Sequence, residues 1–417
     1  MKRGIALAVA FFALFTAGAA SAKTLEELLK EKGVITEEDF RAVTRSRPVS
    51  YKPGEGFVFL SQDEKFRLSA GGSMQFRYTF TDKDDVNGTQ QDTSEWRMRR
   101  VKLSLGGHAY TKELTYKLVM NFVEANTGKL MEDAYASYRF RDEFQVLAGQ
   151  GKVPFSRQEL TSTNGLQFVD RSVAVDAFKP SYDIGVLLHG NALGGTVAYH
   201  AGVFGGVGQN TLRTTTNNLL AARFSFSPFG EVKYVEGDFD ESPKPLFSVG
   251  IDYFRDALKL TKGTTDVLET NNLSFAGSSG WLGKGLGTFQ VSEKLDIDSG
   301  SVDAVFKWKG FSLQGEFLAA QAEGQASGIL LRAQAFYVEA GFMVLPRQLE
   351  AAVRYSYLDP NRGRANDLQV DSQGVLSYFF SGHNLKLQGD YTNVHKQVAG
   401  KQSTDDRQVR LQAQILF

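Results

Sequence analysis

The last nine residues, 409–417, read VRLQAQILF. Apolar side chains stand at every second position: Val409, Leu411, Ala413, Ile415 and Phe417. The residues between them include polar Arg410, Gln412 and Gln414. Successive side chains of a β-strand point to opposite faces, so this period of two predicts a strand with one apolar and one polar face.

The same alternation begins near residue 66 and recurs along the chain. The first run places apolar residues at every second position of most of its length: Phe66, Leu68, Ala70, Met74, Phe76, Tyr78 and Phe80. Similar runs lie at 116–122, 220–226, 302–308 and 349–357. A soluble β-sandwich also alternates, but runs of about 9–11 residues with full charges on the polar face favour strands that cross a bilayer.

We count sixteen candidate strands, an even number whose first and last members can pair and close the sheet. Closure removes the exposed strand edges that hydrocarbon would not tolerate. The terminal Phe417, which continues the apolar series, is typical of such barrels. The sequence therefore predicts an all-β protein, a 16-stranded antiparallel transmembrane β-barrel over residues 65–417.

The connections sort by length, as expected of a membrane barrel. Those after odd strands are long, near 82–94, 125–129, 150–182, 205–217, 257–298, 322–330, 359–368 and 393–406. Those after even strands are mostly short, except 228–245. The third long connection, 150–182, is rich in apolar residues, so we expect it to fold inward and narrow the pore; an outward lid that associates with neighbours is the alternative.

The N-terminus has the layout of a secretory signal peptide. Lys2 and Arg3 precede an apolar run, and small residues end at Ala22, so we expect residues 1–22 to be removed. Residues 23–64 are expected to form a short periplasmic helical segment, since Thr24 with Glu27 resembles a capping box. A loosely ordered tail is the alternative. The predicted location is the bacterial outer membrane.

Composition limits the other classes of function. The chain has no cysteine and a mean hydropathy of −0.25. Loss of Lys2 and Arg3 from 47 basic residues leaves 45, against 47 acidic, so no nucleic-acid partner is indicated. The five histidines are scattered and no zinc-protease motif occurs, so we predict neither an enzyme nor a cofactor: His108, His189, His200, His383 and His395.

The polar face of the predicted strands collects cations: Arg67, Arg77, Arg100, Lys102, Lys117, Arg139, Arg223, Lys307, Arg354, Lys386 and Arg410. Fixed positive charge in a confined channel attracts anions and passes them between weak sites. Acidic residues fall on the same face: Asp133, Asp252, Asp303, Glu316 and Asp390. A mixed, ion-paired lumen without selectivity is therefore the alternative to an anion channel.

The densest basic patch is Arg97, Arg99, Arg100 and Lys102. Arg99 and Arg100 are adjacent, so strict alternation would turn one toward lipid; either the strand bulges there or one arginine lies above the membrane. Guanidinium groups bind phosphate-like anions through paired hydrogen bonds, which makes the patch a candidate recognition element. An interfacial girdle of charge would need no ligand.

Several segments together resemble the phosphate-selective porin O and P family. They are RMRRVKLSL at 97–105, GQGKVPFSR at 149–157, LQFVDRS at 166–172 with DIGV at 183–186, and RYSYLDP at 354–360. The resemblance covers nearly all of the mature chain. It implies a trimeric sixteen-stranded barrel with an inward third loop that carries anions across the outer membrane.

The resemblance also implies site residues. Family arginines at the start of the second strand match Arg99 and Arg100, and an arginine late in the third loop matches Arg171. Loop hydroxyls correspond to Ser162 and Thr163, but the family's loop lysines have no counterpart in 158–170, and Lys102 stands where the family has tyrosine. The predicted binding residues are Arg77, Arg99, Arg100, Lys102, Ser162, Thr163 and Arg171.

The predicted function is passive diffusion of small hydrophilic solutes through a homotrimer in outer-membrane lipid. The lumen charge favours anions, with phosphate or polyphosphate as candidate solutes. A non-selective general porin, or a structural or adhesive barrel without transport, are the alternatives.

Overall fold

The computed structural model describes residues 25–36, 38, 49–213 and 215–417. A short helix, α1, spans Leu25–Glu31, and Gly33 follows it with a φ of 67°, a left-handed conformation that suits glycine. The predicted signal peptide and part of the expected helical segment 23–64 lie outside the described residues. No helix among the described residues is both long and apolar enough to cross a membrane.

Sixteen long strands follow within the described part of the chain. In chain order they are β1 Arg67–Asp82, β2 Thr93–Ala109, β3 Thr111–Asn121, β4 Met131–Arg141, β5 Phe144–Lys152, β6 Tyr182–Ala192, β7 Val197–Phe204, β8 Leu219–Phe226, β9 Leu246–Thr261, β10 Glu293–Trp308, β11 Phe311–Gly324, β12 Leu330–Leu345, β13 Leu349–Asp359, β14 Gln369–Ser381, β15 Leu385–Lys396 and β16 Thr404–Leu416. Shorter strands are Val49–Lys52, Gly56–Leu60 and Val267–Leu268.

Each long strand pairs antiparallel with the next, and β16 pairs with β1 from Arg407 and Asp82 to Leu416 and Ser73. The sheet is therefore closed, and the predicted 16-stranded antiparallel barrel is confirmed. The short strand Gly56–Leu60 extends the sheet beside this seam, pairing Phe57 with Ala70 on β1.

The two faces of the strands are the reverse of those in a soluble protein. On β16 the apolar Leu411 is 41% exposed, whereas Gln412 and Gln414 are 3% and 1% exposed. The same holds on β1, where Phe76 is exposed and Gln75 is buried. Apolar residues outside and polar residues inside are what a barrel in lipid requires.

Helical turns occur in the long connections. The third loop, residues 153–181, contains α2 Arg157–Leu160, a 3₁₀ turn Thr163–Gly165 and α3 Val173–Phe178. The connection between β9 and β10 contains α4 Trp281–Gly285 between 3₁₀ turns Ser274–Ala276 and Leu286–Thr288. Further 3₁₀ turns are Phe122–Thr127 and Leu193–Gly195.

An apolar core lies on one side of the barrel wall, which the strand pattern did not predict. Inward residues of β9, β10 and β12 are fully buried: Leu258, Leu260, Leu295, Ile297 and Leu331. They cluster with Phe178 of the third loop and with Phe275 and Trp281 of the β9–β10 connection. The cavities described below lie mainly along β1–β5 and β14–β16, and they border this core at Ala177, Leu187 and Phe204.

The connection 227–245 is the long exception among the turns, as the sequence indicated. It contacts the third loop rather than running free. Arg157 Nη2 donates to the carbonyl of Lys233 at 2.8 Å, and Glu236 accepts from the backbone nitrogen of Gln167 at 2.7 Å. The two connections therefore support one another.

Candidate functional site

A β-bulge in β2 decides how the arginine pair is displayed. Gln75 on β1 pairs with Arg100 and Phe76 pairs with Met98, which leaves Arg99 as the extra residue. A bulge re-aims side chains that strict alternation would separate. Both Arg99 and Arg100 reach the same carboxylate, with Nη2 at 3.3 Å and 3.5 Å from Asp170 Oδ1.

Four arginines surround Asp170, and we call Arg77, Arg99, Arg100 and Arg410 the arginine cluster. Arg77 Nη1 donates to Asp170 Oδ2, and Arg410 Nη1 lies 3.7 Å from the same oxygen. Burial alone would raise the pKa of Asp170. The charges of Arg99, Arg77 and Arg100 outweigh it and hold the pKa well below its usual range.

Two arginines of the cluster, Arg77 and Arg410, already donate hydrogen bonds to other residues of the strands and the third loop. Arg77 donates from Nε to Gln412 Oε1 at 3.0 Å and from Nη2 to the carbonyl of Val169 at 2.8 Å. Arg410 forms a forked pair with Asp390, at 2.7 Å and 2.6 Å. These two arginines anchor the loop and the strands.

Arg171 is held within its own loop. Its Nη2 donates to the carbonyls of Glu159 and Thr161 at 3.1 Å and 2.9 Å, and its Nε lies 2.9 Å from Glu159 Oε2. Lys179 Nζ is 3.2 Å from the same oxygen. Burial alone would raise the pKa of Glu159, but these cations lower it to about 2.

The other predicted site residues also have internal partners. Lys102 Nζ donates to Glu132 Oε2 at 2.6 Å. Ser162 Oγ accepts from the backbone nitrogen of Asn164 at 3.3 Å, and the carbonyl of Thr163 accepts from Gln75 at 3.4 Å.

Three adjoining cavities run through the described part of the barrel. The central cavity has a volume of about 200 Å³ and is lined by Arg99, Arg100, Lys102, Thr163 and Arg171. The structure thus brings five of the seven predicted binding residues together. Ser162 lines the neighbouring cavity of about 440 Å³, and Arg77 lines none of the three cavities.

The cavities share lining residues. We call the cavity beside the third-loop residues Asp170 and Asp176 the loop-side cavity. It has a volume of about 730 Å³ and shares Lys129, Arg171 and Lys179 with the central cavity. We call the cavity lined by Gly54 and Glu55 the turn-side cavity. It has a volume of about 440 Å³ and shares Lys102, Glu132 and Thr163 with the central cavity. The central cavity is therefore the smallest space between two larger ones.

Charge is unevenly distributed along these cavities. The central cavity is lined by six basic and three acidic residues: Arg99, Arg100, Lys102, Lys129, Arg171 and Lys179, with Glu124, Glu132 and Glu159. The turn-side cavity has three of each: Lys102, Lys117 and Lys152, with Glu55, Glu132 and Asp133. The excess of positive charge is greatest where the space is smallest.

Sequence reasoning missed Asp170, Lys129 and Lys179. Asp170 stands inside the LQFVDRS segment, beside Arg171, but nothing in the one-dimensional pattern shows that it meets residues of β1, β2 and β16. Within the described residues, no group of three or more His, Cys, Asp and Glu side chains is arranged to hold a metal ion.

Comparison with known proteins gives a family match and one relative. A family model described as phosphate-selective porin O and P matches residues 71–417. An uncharacterized protein of Aquifex aeolicus (strain VF5) is 24% identical over 398 residues, 86% of each chain.

Solved structures share the fold at low identity. The anion-selective porin from Comamonas acidovorans is 10% identical with a TM-score of 0.58, over 84% of this chain and 99% of that one. The outer membrane channel DcaP of Acinetobacter baumannii is 13% identical with a TM-score of 0.54, over 86% and 99%. The trimer form of OmpT from Vibrio cholerae is 10% identical with a TM-score of 0.53, over 84% and 99%. Since the family model spans nearly the whole barrel, the chain belongs to the phosphate-selective porin O and P family.

Proposed function

We propose that this outer-membrane porin conducts small hydrophilic solutes passively, with a preference for anions, and that phosphate-like oxyanions bind transiently in the central cavity. The observation that carries the proposal is the excess of basic residues in the smallest cavity. In a narrow passage of low dielectric, fixed charge acts on every ion that crosses. The family and fold are of the channel type, in line with the predicted lack of enzyme activity.

We infer that the third loop lies within the barrel and forms one wall of the central cavity. Its contacts with strands on different sides support this. The Ser156 nitrogen donates to Asp252 on β9 at 3.1 Å, and the Gln158 nitrogen donates to Glu316 on β11 at 2.6 Å. On the far side, Lys386 of β15 donates to the Leu166 carbonyl at 2.9 Å.

The alternative function, a non-selective porin, is motivated by ion pairs within the barrel wall. Lys117 pairs with Asp133 at 2.7 Å, and Arg223 pairs with Asp252 and Asp303 at 2.6 Å and 2.7 Å. The charges of Lys117 and Asp133 cancel, and Arg223 offsets one of its two aspartate charges. These residues line the turn-side cavity or the opposite wall rather than the central cavity, so the proposed preference rests on the basic lining of the central cavity.

We further propose that the mature chain, without residues 1–22, assembles as a homotrimer with its N-terminal segment in the periplasm. The trimer form of OmpT, which has the same fold, supports the assembly. A structural or adhesive barrel is the competing function, motivated by the N-terminal helix. It would give no stepwise conductance in a lipid bilayer.

The test is the single-channel reversal potential in a potassium chloride gradient, repeated with phosphate. We expect a chloride-preferring potential and a phosphate-dependent block, both reduced when Arg99, Arg100 and Arg171 are changed to Gln. The pair R99Q/R100Q serves if loss of Arg171 prevents folding. K112Q is the control, since Lys112 is exposed and pairs with Glu64 away from the cavities.

Each result separates the candidates. An unchanged reversal potential in the neutralised variant would remove the role assigned to these arginines. Conductance without ion preference in the wild type would retain the porin and reject selectivity. Absence of conductance would favour the structural barrel.

A further inference from the structure

We propose that Asp170 is a tethered counter-ion that competes with permeating oxyanions for Arg99 and Arg100, and so sets how tightly the central cavity holds them. This inference rests on the proposed function and identifies a residue that determines its affinity. The carboxylate of Asp170 lies 3.3 Å from Arg99 and 3.5 Å from Arg100, at the loop-side cavity that adjoins the central one.

The two oxygens of Asp170 are engaged unequally. Oδ2 accepts a hydrogen bond from Arg77, whereas Oδ1 is buried and has no hydrogen-bond partner within the described structure. Arg99 and Arg100 lie 3.3 Å and 3.5 Å from Oδ1, longer than the ~2.7–2.9 Å of a charge-assisted hydrogen bond. Asp170 therefore attracts these two arginines by charge without taking up their donors.

Asp170 leaves donors of the arginine pair unused. Arg99 Nε is buried and lacks a hydrogen-bond partner among the described residues. Arg100 uses Nη1 for Gln75 at 2.7 Å, and both arginines line the central cavity. An oxyanion that enters can accept from the arginine pair while Asp170 stays in place.

The backbone fixes Asp170 beside the pair. Arg354 Nη2 donates to its carbonyl at 2.9 Å, and Arg77 Nη2 donates to the carbonyl of Val169. With both flanking carbonyls held by the wall, the carboxylate cannot leave without breaking buried hydrogen bonds. It acts as a permanent competitor rather than as a gate.

A carboxylate that competes in this way favours transport of the oxyanion over its retention in the central cavity. Conduction requires binding that is favourable enough to admit an ion and weak enough to release it. Without a nearby carboxylate, the pair Arg99 and Arg100 would hold a divalent oxyanion more tightly. One fixed negative charge close to the bound anion weakens its binding and speeds its exit.

The experiment compares the wild type with D170N, D170E and the control D142N. Asp142 is exposed and pairs with Arg139 in a turn, so it reports the loss of a carboxylate elsewhere. The phosphate concentration that halves the chloride current is measured in single channels, with sulfate in a parallel series. We expect D170N to lower this concentration about tenfold, the equivalent of roughly 1.4 kcal/mol, and to lengthen each blocking event. D170E restores wild-type values within about twofold, as expected for retained charge.

Unchanged or weaker block by both anions in D170N would overturn the inference, provided that the wild type is anion-selective. A wild type without anion preference would instead reject the proposed function, and the inference with it. If D170N does not fold, the charge-balanced D170N/R410Q is compared with R410Q, and the same tenfold gain is expected.

Discussion

Arg77 Nε donates to Gln412 Oε1 at 3.0 Å, joining the first barrel strand to the last. The same side chain binds the carbonyl of Val169 and the carboxylate of Asp170 on the third loop. One buried arginine therefore stabilises both the closing seam of the barrel and the loop that lines the central cavity.

Changing Arg77 to Met should cost about 3 kcal/mol of unfolding free energy, because a buried pair loses one partner while Asp170 and Gln412 remain. Urea unfolding of the protein refolded in lipid vesicles measures this loss. The control is R407Q on β16, since Arg407 and Asp82 are exposed and 3.7 Å apart. It should change stability by less than about 0.5 kcal/mol. An equal loss in both variants would contradict the anchoring role.

Changing Arg99 to Lys should separate charge from geometry. Lysine keeps the positive charge but lacks the planar fork that binds oxyanions through two parallel hydrogen bonds. We expect the reversal potential in potassium chloride to stay near that of the wild type, while the half-blocking phosphate concentration rises about tenfold, or roughly 1.4 kcal/mol. R139K, on an exposed arginine, is the control. A parallel change in both readouts would mean that Arg99 acts by charge alone.

The Glu159 ion pair should make stability depend on acid pH. An unfolded glutamate titrates near pH ~4.3, whereas the folded pKa is lowered to about 2. Ionised Glu159 therefore stabilises the protein fully above the unfolded pKa, and this contribution is lost as the pH falls toward 2. E159Q should cost about 2 kcal/mol at pH 7, since Arg171 and Lys179 lose their buried partner.

Thermal unfolding between pH 7 and pH 2.5 tests this dependence. The difference between E159Q and the wild type should be constant above about pH 5 and shrink below it. D142N, on an exposed carboxylate, should run parallel to the wild type. A difference that stays constant down to pH 2.5 would show that the carboxylate charge of Glu159 contributes nothing.

Glu236 should hold the third loop against the 227–245 connection. Its Oε1 accepts from Gln158 Nε2 at 2.9 Å and its Oε2 from the Gln167 nitrogen at 2.7 Å. Replacement by Ala removes the acceptor of the Gln167 nitrogen and leaves Gln158 Nε2 only its 3.5 Å contact with Glu339. Amide hydrogen exchange over 158–167 should therefore quicken about tenfold, for roughly 1.4 kcal/mol. D240A, at an exposed position of the same connection, should leave this exchange unchanged. Equal acceleration in the two variants would point to a general loosening of the connection.

The barrel was predictable because its strands keep strong contrast between faces. Along β16, Leu411 and Gln412 alternate as lipid and lumen demand. The adjacency of Arg99 and Arg100 indicated either a bulge or an arginine above the membrane, and the structure shows the bulge. The difference in polarity between the two faces is lost on β9, where the inward Leu258 and the outward Tyr253 are both apolar. There the pattern could not reveal the apolar core, since its other half comes from the distant Trp281.

The candidate site was predictable in composition but not in its internal pairing. The resemblance brought Arg171 into the predicted binding set, and the structure shows it tied to Glu159, twelve residues earlier in the chain. That pairing depends on how the third loop folds back, which no local pattern encodes. The same holds for Asp170, whose arginine partners come from three strands.

The fastening of the third loop has an electrical consequence. Three side chains of the barrel wall donate hydrogen bonds to backbone carbonyls of this loop. Arg77 donates to Val169, Arg354 to Asp170 and Lys386 to Leu166. A loop held by these buried hydrogen bonds should keep one position under an applied voltage. We therefore expect long, quiet open states with a linear current–voltage relation near zero potential, and little tendency to close as the membrane is polarised.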